Sequence, residues 1–156
     1  MEDNLPDKSQ VIMPPPLLFG IFLLVGLLLN YLWPIGFLPQ SILPFLTLAL
    51  FAASALIGFH AHQEMARLKT PVNTSRPATA LATNGPFRFS RNPLYVSLML
   101  VYLGFAVLFN SLWLFALAFA FFFVLQRGVI EREEFYLERK FGDDYRQYKA
   151  RVRRWV

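Results

Sequence analysis

Two arginines and two glutamates are spaced so that one ligand can meet all four. Arg88 and Arg91 lie in the stretch Arg88-Phe89-Ser90-Arg91-Asn92-Pro93-Leu94-Tyr95, and Glu133 and Glu134 close the cluster Glu131-Arg132-Glu133-Glu134. An arginine suits a carboxylate, and a glutamate suits an ammonium or a hydroxyl. A glutamate whose pKa is raised can also take a proton from an amine nucleophile. Consecutive residues on a helix point about 100° apart. One glutamate is therefore expected to face a ligand squarely while the other reaches back to an arginine. Asn92 suits a helix cap, and Pro93 fits the first helical position, where a missing N–H costs nothing. Tyr95, one turn further on, needs a partner for its hydroxyl if it is buried.

The elements between these clusters must bring them together. Positions 92–126 carry no Asp, Glu, Lys or Arg. One helix over that run would be about 52 Å long at 1.5 Å per residue, too long for a single crossing of a bilayer. Asn110-Ser111 is the polar pair inside it and marks a tight turn. The run is read as a hairpin, Pro93 to about Phe109 and Leu112 to about Ile130, which returns its two ends to the same side.

A second uncharged run, positions 9–63, has room for two more crossings, Leu17 to about Trp33 and Ile42 to about Phe59, broken by Pro34-Ile35-Gly36-Phe37-Leu38-Pro39. The 156 residues are 56% apolar with 17 Phe, and the mean hydropathy is +0.43, well above an average soluble domain. The expected fold class is an all-α integral membrane protein. It has about four transmembrane helices in two hairpins, followed by a C-terminal amphipathic helix on the cytoplasmic face.

Within this single domain the expected divisions are a polar, Pro-rich leader at 1–16 and a first hairpin at 17–59. A cytoplasmic loop follows at 60–92, then a catalytic hairpin and last helix at 93–156. Pro14-Pro15-Pro16 is expected to be extended. Thr70-Pro71-Val72-Asn73-Thr74-Ser75-Arg76-Pro77 cannot be helical throughout. Glu2, Asp3 and Asp7 stand against one Lys8, unlike the basic opening of a signal peptide, so the first apolar segment is expected to persist. Gly142 fits a helix C-cap and Asp143 an N-cap. Beyond them Tyr145, Tyr148, Val152 and Trp155 fall on one stripe of an interfacial helix.

The net charge is +5, and fourteen of the fifteen Lys and Arg sit in 60–92 and 127–156. Basic flanks of membrane helices mark the cytoplasmic side and suit anionic lipid head groups. No nucleic-acid motif accompanies the charge, so nucleic acid is not an expected partner. The absence of Cys excludes disulfides and thiolate chemistry. His60 and His62, two apart, face away from each other on a helix, and no metal is expected. Gly104 suits a packing notch, and a notch beside a cofactor would look the same. Oligomeric state is not legible.

The residues Gly85 to Tyr95, then Arg127 to Glu134, then Phe141-Gly142-Asp143-Asp144-Tyr145 and Tyr148 through Val152 and Trp155 resemble the isoprenylcysteine carboxyl methyltransferase family. That wider group includes membrane phospholipid N-methyltransferases, and the resemblance covers roughly residues 70–156. It implies an S-adenosylmethionine-dependent methyltransferase that takes a lipidic acceptor from the bilayer, most like isoprenylcysteine carboxyl O-methylation, with phospholipid N-methylation as the alternative. By position it implies Arg91, Glu133 and Glu134 as catalytic residues. Arg88, Arg91, Asn92, Pro93, Tyr95, Gly104, Glu133 and Glu134 are the expected cofactor contacts. Better-known members have His at the position of Asn92 and commonly Gly at that of Ser97. Asn bonds but does not titrate. No G-x-G-x-x-G follows a strand, which excludes a soluble dinucleotide-type fold. Two other readings are a membrane NADPH-dependent reductase and a non-catalytic lipid-binding protein.

Overall fold

The computed structural model describes residues 7–73 and 76–156. The first six positions of the expected leader, with Glu2 and Asp3, lie outside the described residues, as do Thr74 and Ser75. Among the described residues five α-helices run in order: α1 Pro15–Leu32, α2 Leu43–Arg67, α3 Pro93–Leu108, α4 Leu112–Leu125 and α5 Glu131–Arg151. A π-helical turn, Gln126–Ile130, joins α4 to α5 without a break, and a 3-10 turn, Gly85–Arg88, precedes α3. No strand occurs among the described residues.

Three of these helical stretches are long and apolar enough to cross a membrane: α1, α2 and the continuous run from Leu112. The fourth apolar helix, α3, has 16 residues, about 24 Å at 1.5 Å per residue and a little short of a hydrocarbon core of about 30 Å. The chain is an all-α membrane protein. Its α4 is apolar on every side and charge returns at Arg127, so the apolar stretch of that run ends before the charged α5.

The α3–α4 hairpin is the centre of the fold. Helix α2 lies along α3, and α1 lies along α4, so the first two crossings flank the second pair rather than closing on each other. Small residues set these approaches. A Cβ on Gly26 would collide with Leu114 of α4, one on Gly58 would stand 2.7 Å from Ser97 Oγ, and one on Gly104 would stand 2.7 Å from the Phe51 ring. Ser54 and Ser97 lock α2 to α3 through reciprocal bonds: each hydroxyl donates to the other residue's carbonyl, at 2.9 and 3.0 Å. Ser97 is therefore used in helix packing. Tyr102, Leu114, Phe121 and Leu125 are fully buried between α1, α3 and α4.

Both connections at one end are pinned together. Asn110 Oδ1 accepts from the Phe37 and Leu38 N–H groups at 3.0 Å each, and Leu112 N–H donates to the Ile35 carbonyl at 2.9 Å. Asn110 adopts φ +44, a left-handed turn that asparagine tolerates, and Ser111 caps α4 by accepting from Leu114 N–H. At the other end the N-terminal segment, the 68–92 connection and α5 meet. Ile12 N–H donates to Gly128 C=O at 3.1 Å, and Arg132 donates to Gln10 C=O at 2.9 Å.

Several expectations need correction. Pro15 and Pro16 are helical, not extended, because the first N–H groups of a helix have no internal partner to lose. Helix α2 runs on to Arg67, carrying His60, His62 and Glu64, so the connection before α3 is shorter than 60–92. Gly142, at φ +55, kinks α5 where a helix stop is expected, and helical structure then resumes. The later helix ends at Arg151, so Val152 and Trp155 leave its stripe. The helix is amphipathic, but Tyr145 and Tyr148 are buried inside the protein instead of lying on a membrane surface.

Candidate active site

The two ends of the α3–α4 hairpin meet, as the charge pattern requires. They wall a cavity of about 650 Å³ lined by Arg91, Asn92, Pro93, Tyr95, Glu133 and Glu134, among others. Arg91 Nη2 lies 3.1 Å from Glu134 Oε1, with both side chains under a tenth exposed. Glu133 turns the other way and accepts the Tyr95 hydroxyl at 2.8 Å. The two neighbouring acids thus divide: Glu134 reaches back to an arginine, and Glu133 faces a tyrosine.

This division leaves specific chemistry unspent. The Nε and Nη1 of Arg91 are buried without a hydrogen-bond partner among the described residues, and an unpaired buried guanidinium donor is costly. Burial pushes the Glu133 carboxyl up to about 7. The Tyr95 hydrogen bond opposes that shift and the adjacent Glu134 charge adds to it. A carboxyl titrating near neutrality exchanges a proton readily.

Asn92 stands at the N-cap position of α3 but does not cap it. Its Nδ2 donates to the Arg154 carbonyl at 3.0 Å, while Pro93 takes the first helical position as expected. Tyr145 and Tyr148 from the later half of α5 close the cavity, and Tyr148 O–H donates to Phe87 C=O at 2.7 Å. Pro14, Pro15 and Pro16 at the start of α1 and Ala78, Ala80, Leu81 and Ala82 from the connection complete the wall.

Two expected contacts are not brought to the cavity. Phe87 points inward from the 3-10 turn, so its neighbour Arg88 points out into a separate open groove with His60, Glu64 and Arg67. Gly104 lies deeper in α3, against Phe51 of α2. No group of three or more His, Asp or Glu among the described residues could hold a metal ion.

Sequence reasoning missed the C-terminal tail. Arg154 donates to Glu134 through Nε, at 3.2 Å to each oxygen, and through Nη2, at 2.7 Å to Oε2. Arg153 C=O accepts from Arg91 N–H at 2.9 Å. Trp155 packs on Phe122 at 4.8 Å between ring centroids and donates to Gln126 Oε1 at 2.8 Å. The basic run Arg151, Arg153 and Arg154 is visible in the sequence, but as membrane-flanking charge it gives no sign that one member turns inward.

The chain is 49% identical over 65 residues to an uncharacterized protein of Haemophilus influenzae; the match covers 40% of this chain and the whole of that protein. The family model for phospholipid methyltransferases matches residues 42–144, more than half of the chain and both ends of the central hairpin. The chain belongs to the phospholipid methyltransferase family.

Proposed function

We propose that the chain is an S-adenosylmethionine-dependent methyltransferase that methylates a lipidic acceptor, an amine-bearing phospholipid before any other. The observation that carries this reading is the pairing of two unspent groups on one cavity: the free Nε and Nη1 of Arg91 and the buried carboxyl of Glu133. The cofactor has a carboxylate, an ammonium and a sulfonium, a net charge of one positive. Arg91 would take the carboxylate, and ionised Glu133 would favour the cationic remainder. The cavity volume is in the range of small-molecule and cofactor sites.

When bound, the cofactor supplies a methyl group on sulfur, which transfers to an acceptor atom in line with the carbon–sulfur bond as that bond breaks, the electron pair remaining on sulfur. The protein's own part is positioning and proton handling. An amine acceptor must shed a proton before its lone pair is available, and Glu133 is a base of suitable strength to receive it. Tyr95 holds that carboxylate in place. Helices α2 and α3 contribute Met65, Leu94 and Leu98 to the cavity wall, apolar surface suited to an acyl chain.

Carboxyl O-methylation of a prenylated cysteine is the second reading, favoured by the extended motif from Gly85 to Trp155. A carboxylate acceptor needs no base, so Glu133 would then be dispensable for chemistry. The charge distribution supports a cytoplasmic position for the site and both described chain ends.

The test is methyl transfer from labelled cofactor by the purified protein in vesicles. The vesicles contain phosphatidylethanolamine, with and without a farnesylated cysteine. Base-stable label in the phospholipid is expected. Label released as methanol by base would move the assignment to the carboxyl acceptor, and no transfer to either would remove the enzyme reading.

A further inference from the structure

Glu134 is held more closely by Arg154 than by Arg91. Arg154 brings three contacts to its carboxylate and a fourth, through Nη1 at 3.3 Å, to Glu131. Arg91 brings Nη2 alone. The tail that carries Arg154 is fixed on both sides. Its carbonyl accepts from Asn92 Nδ2, the preceding carbonyl accepts from Arg91 N–H, and Trp155 is anchored to Gln126. A buried carboxylate is stabilised only by well-placed charged donors, and a guanidinium fork matches both of its oxygens. Among the described residues Arg91 and Arg154 are the two cations paired with Glu134. Without Arg154, the Arg91 fork would close on Glu134 and consume a second nitrogen.

We infer that Arg154 is a positioning residue: by occupying Glu134 it keeps Nε and Nη1 of Arg91 available for the carboxylate of the cofactor. The inference rests on the S-adenosylmethionine reading above. It gives the C-terminal tail a function in ligand affinity, separate from its packing.

The experiment is calorimetric titration of S-adenosylmethionine and of its decarboxylated analogue into the full-length protein in lipid nanodiscs, comparing wild type, Arg154→Gln and Arg154→Lys. Arg154→Gln should weaken binding of S-adenosylmethionine about tenfold or more, the scale of a charge-assisted hydrogen bond, and leave the affinity for the analogue, which has no carboxylate, within roughly threefold of wild type. A tail that acts only by packing predicts equal losses for the two ligands, and that result, or wild-type affinity for S-adenosylmethionine in Arg154→Gln, overturns the inference while leaving the cofactor reading intact. Should Arg154→Gln not fold, Arg154→Lys decides: it keeps a charge beside Glu134 but lacks the fork that matches both oxygens, so a smaller loss confined to the carboxylate-bearing ligand is expected, and equal losses or none overturn the inference. No saturable binding by the wild type would overturn the cofactor reading, and this inference with it.

Discussion

Arg91 meets Glu134 at 3.1 Å, joining the start of α3 to the first turn of α5 across the full α3–α4 hairpin. Both side chains are buried, and the same carboxylate is held from its other side by Arg154. The contact therefore does two things: it closes the hairpin's open end, and it orients a guanidinium with donors to spare.

Replacing Arg91 by Gln should separate those roles. Glu134 keeps Arg154 as its counter-charge, so the helical fold should persist, as circular dichroism would show. Cofactor affinity should fall by about 1.5–3 kcal/mol, roughly 10- to 150-fold, the loss of a charged hydrogen-bonding partner. Unchanged affinity in a folded Arg91→Gln protein would remove this residue from the ligand site.

Glu133 predicts a pH dependence of definite sign. Its carboxyl is pushed up to about 7 in the folded protein, while the net-positive cofactor favours the ionised form. Binding should therefore release a proton and tighten as pH rises toward 7, then level off. Without ligand the sign reverses for stability. The proton is retained in the folded state between the ordinary carboxyl range near 4.5 and about 7, so stability is greatest below that window and declines through it. Glu133→Gln should flatten both profiles. Tyr95→Phe removes a bond that holds the carboxyl pKa down and should move the binding midpoint to higher pH. Isothermal titration and thermal melts across pH 4.5–8.5 would expose a wrong sign at once.

Gly104 and Arg88 should behave as residues outside the cofactor site. A Cβ at 104 would stand 2.7 Å from the Phe51 ring, so Gly104→Val should pry α2 from α3 and lower the melting temperature, by about 1–3 kcal/mol of overpacking. The affinity of the folded fraction should stay within about twofold, and Arg88→Ala should leave affinity equally unmoved. A tenfold loss in either would place that residue in contact with the ligand.

Much of this was legible because charge is scarce in the chain. With positions 92–126 empty of it, a polar pair at Asn110-Ser111 could only be a turn, and a turn forces Arg91 and Glu134 to the same end. The alternation of roles between Glu133 and Glu134 followed from helical geometry alone. What stayed hidden depended on contacts between segments far apart in sequence. Nothing local distinguishes Arg154, which turns inward, from Arg151, which bonds to Gln147 in its own helix. Pro14 to Pro16 carry no sign that they roof a cavity. The stripe of Tyr145 and Tyr148 reads the same whether a membrane or the 87–91 loop covers it.

That roof has its own anchor, and the anchor predicts an ordering of variants. Tyr136 O–H donates to Asp7 Oδ1 at 2.9 Å and accepts from Ala78 N–H at 3.0 Å, so one hydroxyl ties the N-terminal segment and the 76–82 connection to α5. Lys140 holds the same aspartate at 2.7 Å, but Asp7 is largely exposed, where an ion pair contributes little and is screened by salt. Tyr136→Phe strips the Ala78 N–H of its acceptor and frees both segments. Asp7→Asn can keep a bond to Tyr136 and loses mainly the screened charge. Amide exchange at Ala78 should therefore accelerate about fivefold or more in Tyr136→Phe, as expected for one lost hydrogen bond. In Asp7→Asn it should barely move, and the small effect there should vanish in high salt. The reverse order would mean that the exposed Asp7–Lys140 ion pair, not the tyrosine hydroxyl, fastens the roof over the cavity.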